Sequence, residues 1–244
     1  MTGFDVIANY YDLINGDQYK PYADFLLRCF DRYSKIEVKQ ALDLGCGTGG
    51  ITTLLAEKSY DMVGADISCE MLSIANLKNK SQKDIRYICQ DMRELDLYGT
   101  VQAAYSSFDC LNYLKNNTEL DGVFFLLRNY IEKGGTFIFD VNTKYRYEKI
   151  FSNNNFVYEF GNDMLIWQNS FSKQSCRFDI TLFSEKNGGY FRADEQQKQR
   201  YFPIGTIKRL LYKNKFAVSD VFGSYNFEPL DSNSEKAFFI AVAE

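Results

Sequence analysis

A chain of 244 residues, 45% hydrophobic and 25% charged, is long enough for one large α/β core with a modest insertion and too short for two domains of ordinary size. Its formal net charge of -4, with Lys and Arg scattered along the chain, argues against nucleic acid as a partner, because phosphate recognition needs a concentrated positive surface. Histidine is absent, which removes Ser-His triads, His-ligated zinc sites and the commonest general base together.

After a short start containing Tyr10-Tyr11-Asp12, residues Asp17 to Ser34 place Phe25, Leu26, Cys29, Phe30 and Tyr33 at helical spacing and predict an amphipathic helix. Apolar strand-like runs then alternate with helical patterns: Gln40 to Leu44, a helix over Gly49 to Lys58, Asp61 to Ala65, and a helix that Ser68 can cap. Strands follow near Ile85 to Cys89 and at Val101 to Ser106, and a helix runs from Thr118 to Glu132. Thr118 and Asp121 resemble a capping box at its start, and Gly134-Gly135 stands at its end. Gly135 to Val141 is the near-continuous apolar run of a strand buried on both faces. This βαβ rhythm predicts a parallel sheet.

From about Ser152 the pattern changes to strict alternation. Cys176, Phe178, Ile180 and Leu182 fall on one face with Arg177, Asp179 and Thr181 on the other, and Asn187-Gly188 is a hairpin turn signal. An antiparallel β insertion over residues 152–202 is expected, followed by a helix through Ile207, Leu210 and Leu211 and by strands at Phe216 to Phe222 and Ala237 to Val242. These complete a seven-stranded sheet. The expected partition is a core of residues 1–151 and 203–244, with residues 152–202 as a lid in which Trp167, Arg177 and Tyr201 supply pocket walls.

The chemistry concentrates in the first half. In Leu42-Asp43-Leu44-Gly45-Cys46-Gly47-Thr48-Gly49-Gly50 a strand enters a glycine turn where the backbone must bend sharply and admit a cofactor. Gly45, Gly47 and Gly49 fit one nucleotide-cofactor turn, and Gly45, Gly47 and Gly50 fit the dinucleotide pattern. Asp66, at the end of the second strand, suits ribose hydroxyls with either cofactor. Asp43 discriminates: ahead of the turn its charge opposes a pyrophosphate and suits ammonium and sulfonium groups. Asp91-Met92, after the third strand, offers an acid for the adenine amine and an apolar side chain for its ring. Three carboxylates at successive strand ends mark the edge where open α/β sheets bind ligands.

With these motifs the sequence resembles the class I S-adenosylmethionine-dependent methyltransferases, and within them the subgroup containing bacterial aminosugar N-methyltransferases. Leu42 to Gly49 is similar to the family's first motif, Val63 to Ser68 to the next, and Gln90-Asp91-Met92-Arg93 to the adenine motif. Ser106-Ser107-Phe108 and Gly134-Gly135-Thr136-Phe137 are similar to the loop after strand four and the turn into strand five. Tyr11-Asp12 and Tyr19-Lys20-Pro21-Tyr22 resemble the segment that closes over the cofactor.

The resemblance implies a Rossmann-like seven-stranded methyltransferase sheet with a small antiparallel β insertion, and S-adenosylmethionine as cofactor. It implies Gly45 and Gly47 at the methionyl part, Asp66 at the ribose, Asp91 and Met92 at adenine, Ser107 and Tyr11 beside the methionine, and Asp43 and Ile67 in the same cofactor-binding set. Core packing is an equal reading for Tyr11. The acceptor is expected to be a small molecule, amine or hydroxyl, with no metal; Glu195 and Tyr201 are expected to be structural and no general base stands out. A nicotinamide-dependent oxidoreductase is disfavoured by Asp43 and the missing Tyr-x-x-x-Lys pair, and a non-catalytic S-adenosylmethionine-binding regulator is the other alternative.

The six cysteines, Cys29, Cys46, Cys69, Cys89, Cys110 and Cys176, contain no C-x-x-C pair and read as reduced, mostly buried thiols. The 18 Tyr and 21 Phe are expected in the core rather than in an aromatic cage. With no membrane-length apolar run and no leader pattern, a cytoplasmic protein is expected; oligomeric state is left open.

Overall fold

Apolar strand runs and amphipathic helices assemble, in a computed structural model describing residues 4, 6–79, 85–152 and 154–244, into a seven-stranded sheet and a separate four-stranded one. The large sheet contains β1 (Gln40–Leu44), β2 (Asp61–Asp66), β3 (Arg86–Cys89), β4 (Val101–Ser106), β5 (Ile131–Asn142), β10 (Phe216–Phe222) and β11 (Lys236–Ala243). Their order is β10-β11-β5-β4-β1-β2-β3. Only β11 runs against its neighbours β5 and β10. The expected Rossmann-like methyltransferase sheet is the observed one.

Alternation along the strands divides the core between the two faces. On β5 and β11, Phe137, Phe139, Phe239 and Ala241 pack with helices α4 (Asn117–Tyr130) and α5 (Ile204–Lys213), whereas Ile138, Phe238 and Ile240 pack with α1 (Tyr11–Tyr33) and α2 (Gly50–Glu57). Much of the aromatic excess lies here, as expected: Phe139 stacks on Phe239 with centroids 5.0 Å apart. Among the described residues no helix is long and apolar enough to cross a membrane.

Three local expectations change. Helix α1 starts at Tyr11 rather than Asp17 and carries Pro21 in its interior; its first turns lack an apolar stripe because Leu13 faces solvent. Helix α4 is capped by Asn116, whose side chain accepts from Glu119 N at 2.9 Å, while Glu119 accepts from Lys115 N at 2.8 Å. Asp121 instead binds Lys213 and Asn214 of the α5 end. Gly134-Gly135 does not end the helix but lies within β5, which begins at Ile131. Gly134 adopts φ +87°, and a Cβ on Gly135 would fall 2.3 Å from the Gln102 carbonyl. The pair lets β5 bulge against β4 at close range.

The second sheet, ordered β6-β7-β8-β9, comprises β6 (Asn155–Phe160), β7 (Asp163–Ser172), β8 (Ser175–Lys186) and β9 (Gly189–Arg200). Asn187 and Gly188, with φ of 55° and 76°, turn β8 into β9. Cys176, Phe178, Ile180 and Leu182 are buried on one face with Ile7 and Tyr147. The N-terminal segment is strapped to this sheet: Val6 N donates to Glu195 at 2.9 Å and Tyr10 Oη to Asp163 at 2.5 Å.

The cysteines are not all reduced thiols. Parallel pairing sets Cys89 of β3 opposite Asp66 of β2, which brings it to Cys69, the first residue of α3 (Cys69–Lys78). The two form an exposed disulfide with Cα atoms 5.8 Å apart. Cys29, Cys46 and Cys176 are buried free thiols, and Cys110 is a partly buried one. Alkylation of the unfolded chain without reductant should leave only Cys69 and Cys89 unmodified in the mass spectrum; modification of both would remove the bridge.

Candidate active site

At the carboxyl edge of β1, β2 and β4 the chain leaves a cavity of about 480 Å³, within the size range of pockets for small molecules. Its floor is built by the glycine turn. Gly45 N and Cys46 N both donate to the Ala65 carbonyl, at 2.7 and 3.0 Å, folding the turn over the end of β2. Gly45 has φ +82°, and a Cβ there would meet Cys110 Sγ at 2.2 Å. Glycine is required by conformation and by space.

Asp66 is fixed beside this turn. Its two carboxylate oxygens accept from Gly47 N and Ser68 N, each at 2.8 Å. Burial raises its pKa, while these backbone donors pull the other way. Asp66, Ile67, Asp91, Met92, Gly45, Gly47, Ser107 and Tyr11 all line the cavity. Asp91 caps the tight turn Met92–Glu94 and is engaged by Arg93, whose Nε lies 2.9 Å from Oδ1. The Arg93 hydrogen bond holds its carboxyl below the usual range. The Tyr11 ring packs against the core under the second sheet and also lies 3.8 Å from where a Gly47 Cβ would stand.

Asp43 is placed differently from the other residues of the set. It is not in the cavity wall but buried behind the turn, where Oδ2 accepts from Thr52 at 2.5 Å and Tyr105 at 2.8 Å. Burial pushes its pKa up to about 7, against the effect of these hydrogen bonds. Arg177 and Tyr201 also leave the expected wall: Arg177 is exposed and paired with Asp179, because it lies on the outer face of β8, and Tyr201 packs on Tyr147. Trp167 does line the cavity.

The far half of the cavity holds residues that the sequence reading passed over. Lys236 Nζ lies 2.7 Å from both Asp109 and Asp140. Asp140 also accepts from Tyr22 Oη at 2.7 Å and Asp109 N at 2.9 Å, and Asp109 accepts from Gln199 Nε2 at 2.5 Å. Burial alone would raise the Asp109 pKa, but the charges of Lys236 and Arg146 bring it below the ordinary value. Phe108 and Asp109 are consecutive non-glycine residues with φ of 55° and 53°, a conformation costing about 1 kcal/mol or more each. The buried bonds to Asp109 hold it there. Part of the aromatic excess lies outside the core at this end, where Phe151, Phe156, Tyr158 and Trp167 line the cavity.

Known proteins share this sequence pattern and fold. Residues 41–135 match the family described as a methyltransferase domain. YqeM of Bacillus subtilis (strain 168), assigned as a methyltransferase, is 32% identical over 209 residues that cover 84% of each chain. An S-adenosylmethionine-dependent methyltransferase from Clostridium acetobutylicum ATCC 824 superposes with a TM-score of 0.88 at 28% identity over 98% of both chains. The sugar N-methyltransferase KedS8 from Streptoalloteichus sp ATCC 53650 shares the fold, with a TM-score of 0.79 at 17% identity over 96% of this chain and 92% of its own. The chain belongs to the class I S-adenosylmethionine-dependent methyltransferases and is an enzyme that uses this cofactor.

Proposed function

We propose that the cavity holds S-adenosylmethionine along the strand ends and admits a small-molecule methyl acceptor to the half beneath the second sheet. In this reading residues 1–151 and 203–244 form the cofactor-binding core, and residues 152–202 form the lid that selects the acceptor. Asp66 carries the assignment: each of its oxygens accepts one backbone N–H in the wall and keeps a lone pair for a ribose hydroxyl. Met92 and Ile67 flank the adenine with Asp91 at its polar edge. Gly45, Gly47, Ser107 and Tyr11 surround the methionine part, and Asp43 acts from behind the turn through Thr52 and Tyr105.

When bound, S-adenosylmethionine supplies a methyl group on a sulfonium already activated for displacement. The protein's contribution is orientation and the exclusion of water. With the methyl group so supplied, the cavity walls would hold the acceptor's heteroatom facing it and shield both from water. A neutral amine needs no base for this, which suits a chain without histidine. A hydroxyl acceptor would require a carboxylate or phenolate as base.

Calorimetric titration tests the assignment. Asp66→Ala should weaken S-adenosylhomocysteine binding by about 1–3 kcal/mol, the cost of charge-assisted hydrogen bonds left unmade. Unchanged affinity in a variant that melts like the parent would overturn the placement.

A further inference from the structure

The acceptor half of the cavity has a wall of distinctive chemistry. Phe156 of β6 and Trp167 of β7 stand directly opposite in the antiparallel pair, so both rings leave the same face of the sheet. Both line the cavity, with Phe151, Tyr158 and Phe178 beside them. Trp167 meets Phe178 edge-on at 5.6 Å, and Phe151 meets Phe178 at 5.4 Å. Phe156, Tyr158 and Trp167 remain only half-buried, so ring surface is uncommitted.

The polar groups at this end are, by contrast, engaged with each other. Lys236 lies between two carboxylates. Gln199 donates to Asp109 and accepts from Asn142 and Tyr147, each at 2.9 Å. Tyr113 Oη donates to Gln197 at 2.7 Å. Arg146 pairs with Glu235 at 3.1 Å and lies 4.9 Å from the Phe151 ring centre. A diphosphate needs cations not already neutralised, and a sugar needs donors and acceptors with capacity left. In this wall Lys236 and Arg146 are already paired with carboxylates, and Arg146 Nε is a buried donor left without a partner; what the wall offers in quantity is ring faces, which reward planar apolar surface.

Building on the cofactor-and-acceptor reading of the cavity, we infer that the acceptor is a planar, largely apolar ring compound bearing the amine or hydroxyl that takes the methyl group, not a nucleotide-diphosphate sugar. The ring lies against Phe156 and Trp167, and its heteroatom points toward Ser107 and the glycine turn.

Trp167 is the only tryptophan in the chain, so tryptophan emission reports on this wall alone. Binding of S-adenosylhomocysteine is first confirmed by calorimetry on the intact protein; its absence would overturn the cavity reading and this inference with it. The saturated protein is then titrated separately with naphthol and with thymidine diphosphate. Saturable quenching by naphthol is expected, with none from thymidine diphosphate. Phe156→Leu, a change at a half-buried strand position, should weaken naphthol binding about tenfold, equivalent to about 1.4 kcal/mol, while S-adenosylhomocysteine affinity and melting temperature hold. Saturable quenching by thymidine diphosphate that naphthol cannot displace would overturn the inference. So would naphthol binding that is absent or indifferent to Phe156→Leu.

Discussion

Replacing Lys236 by Met should cost about 3–5 kcal/mol of folding stability, the penalty for removing one partner from a buried ionic group. The side chain of Lys236 is 13% exposed and that of Asp140 0%, so water cannot take over the charge that is lost. Two carboxylates, each 2.7 Å from the ammonium, would face each other without it. Burial alone would lower the Lys236 pKa, and the attraction of Asp109 and Asp140 reverses that and raises it.

The pH dependence follows from the signs. The depressed Asp109 gives stability that is present above its unfolded pKa and lost as pH falls through its folded value. The raised Lys236 gives stability that is present below its unfolded pKa and lost as pH rises through its folded value. The contribution is therefore flat across neutral pH. In the variant Asp109 loses the charge that lowers its pKa and is relieved by protonation, so the gap between parent and variant should narrow in acid. Urea unfolding of both proteins at neutral and acid pH measures it. A loss below about 1 kcal/mol at neutral pH, the scale of a surface pair, would show that the triad is solvated.

This triad also marks where sequence reading stops. Its members are separated by 31, 96 and 127 positions, and Asp140 stands inside the apolar run Phe137 to Val141, where it reads as an interruption. Only the order β11-β5-β4 brings them together. That Asp66 and Asp91 share one edge of the cavity was legible for the opposite reason: Asp66 ends β2 and Asp91 follows β3 by two residues, and a parallel sheet places such positions along one edge whatever its register. That Asp43 lies behind the turn and not in the cavity wall was not legible, because position along the strand does not say on which side of the turn a side chain emerges.

The disulfide was hidden by the same gap, since only the pairing Asp66↔Cys89 reveals that positions 69 and 89 meet. At α4 the sequence offers two overlapping capping patterns, Asn116 with Glu119 and Thr118 with Asp121. Tertiary bonds from Lys213 and Asn214 to Asp121 select the first. The β insertion was readable from alternation and Asn187-Gly188, yet the cross-strand pairing of Phe156 with Trp167 depends on a register that alternation alone does not fix.

Asp43→Asn should make the protein progressively more stable, relative to the parent, as pH rises from about 4 to about 7. The folded-state pKa of Asp43 is raised by burial to about 7 from an ordinary 3.8, so the native protein binds this proton more tightly than the unfolded chain. A group shifted in this direction contributes stability in acid and withdraws it as pH rises toward the folded value, at about 1.4 kcal/mol for each pH unit. Above about pH 7 the withdrawal is complete and the curve levels.

Asparagine removes the titration and keeps an oxygen to accept from Thr52 and Tyr105. Its amide takes the place of Oδ1, which is buried without a partner, and an unsatisfied donor there costs about 1–3 kcal/mol at every pH. The slope, not the offset, is therefore the readout, taken from melting temperatures of both proteins across that range. A flat difference would mean that Asp43 stays ionised in the fold. It would then be the fixed negative charge behind the glycine turn that the strand position first suggested, acting on the cofactor's cationic end through the turn rather than across the cavity.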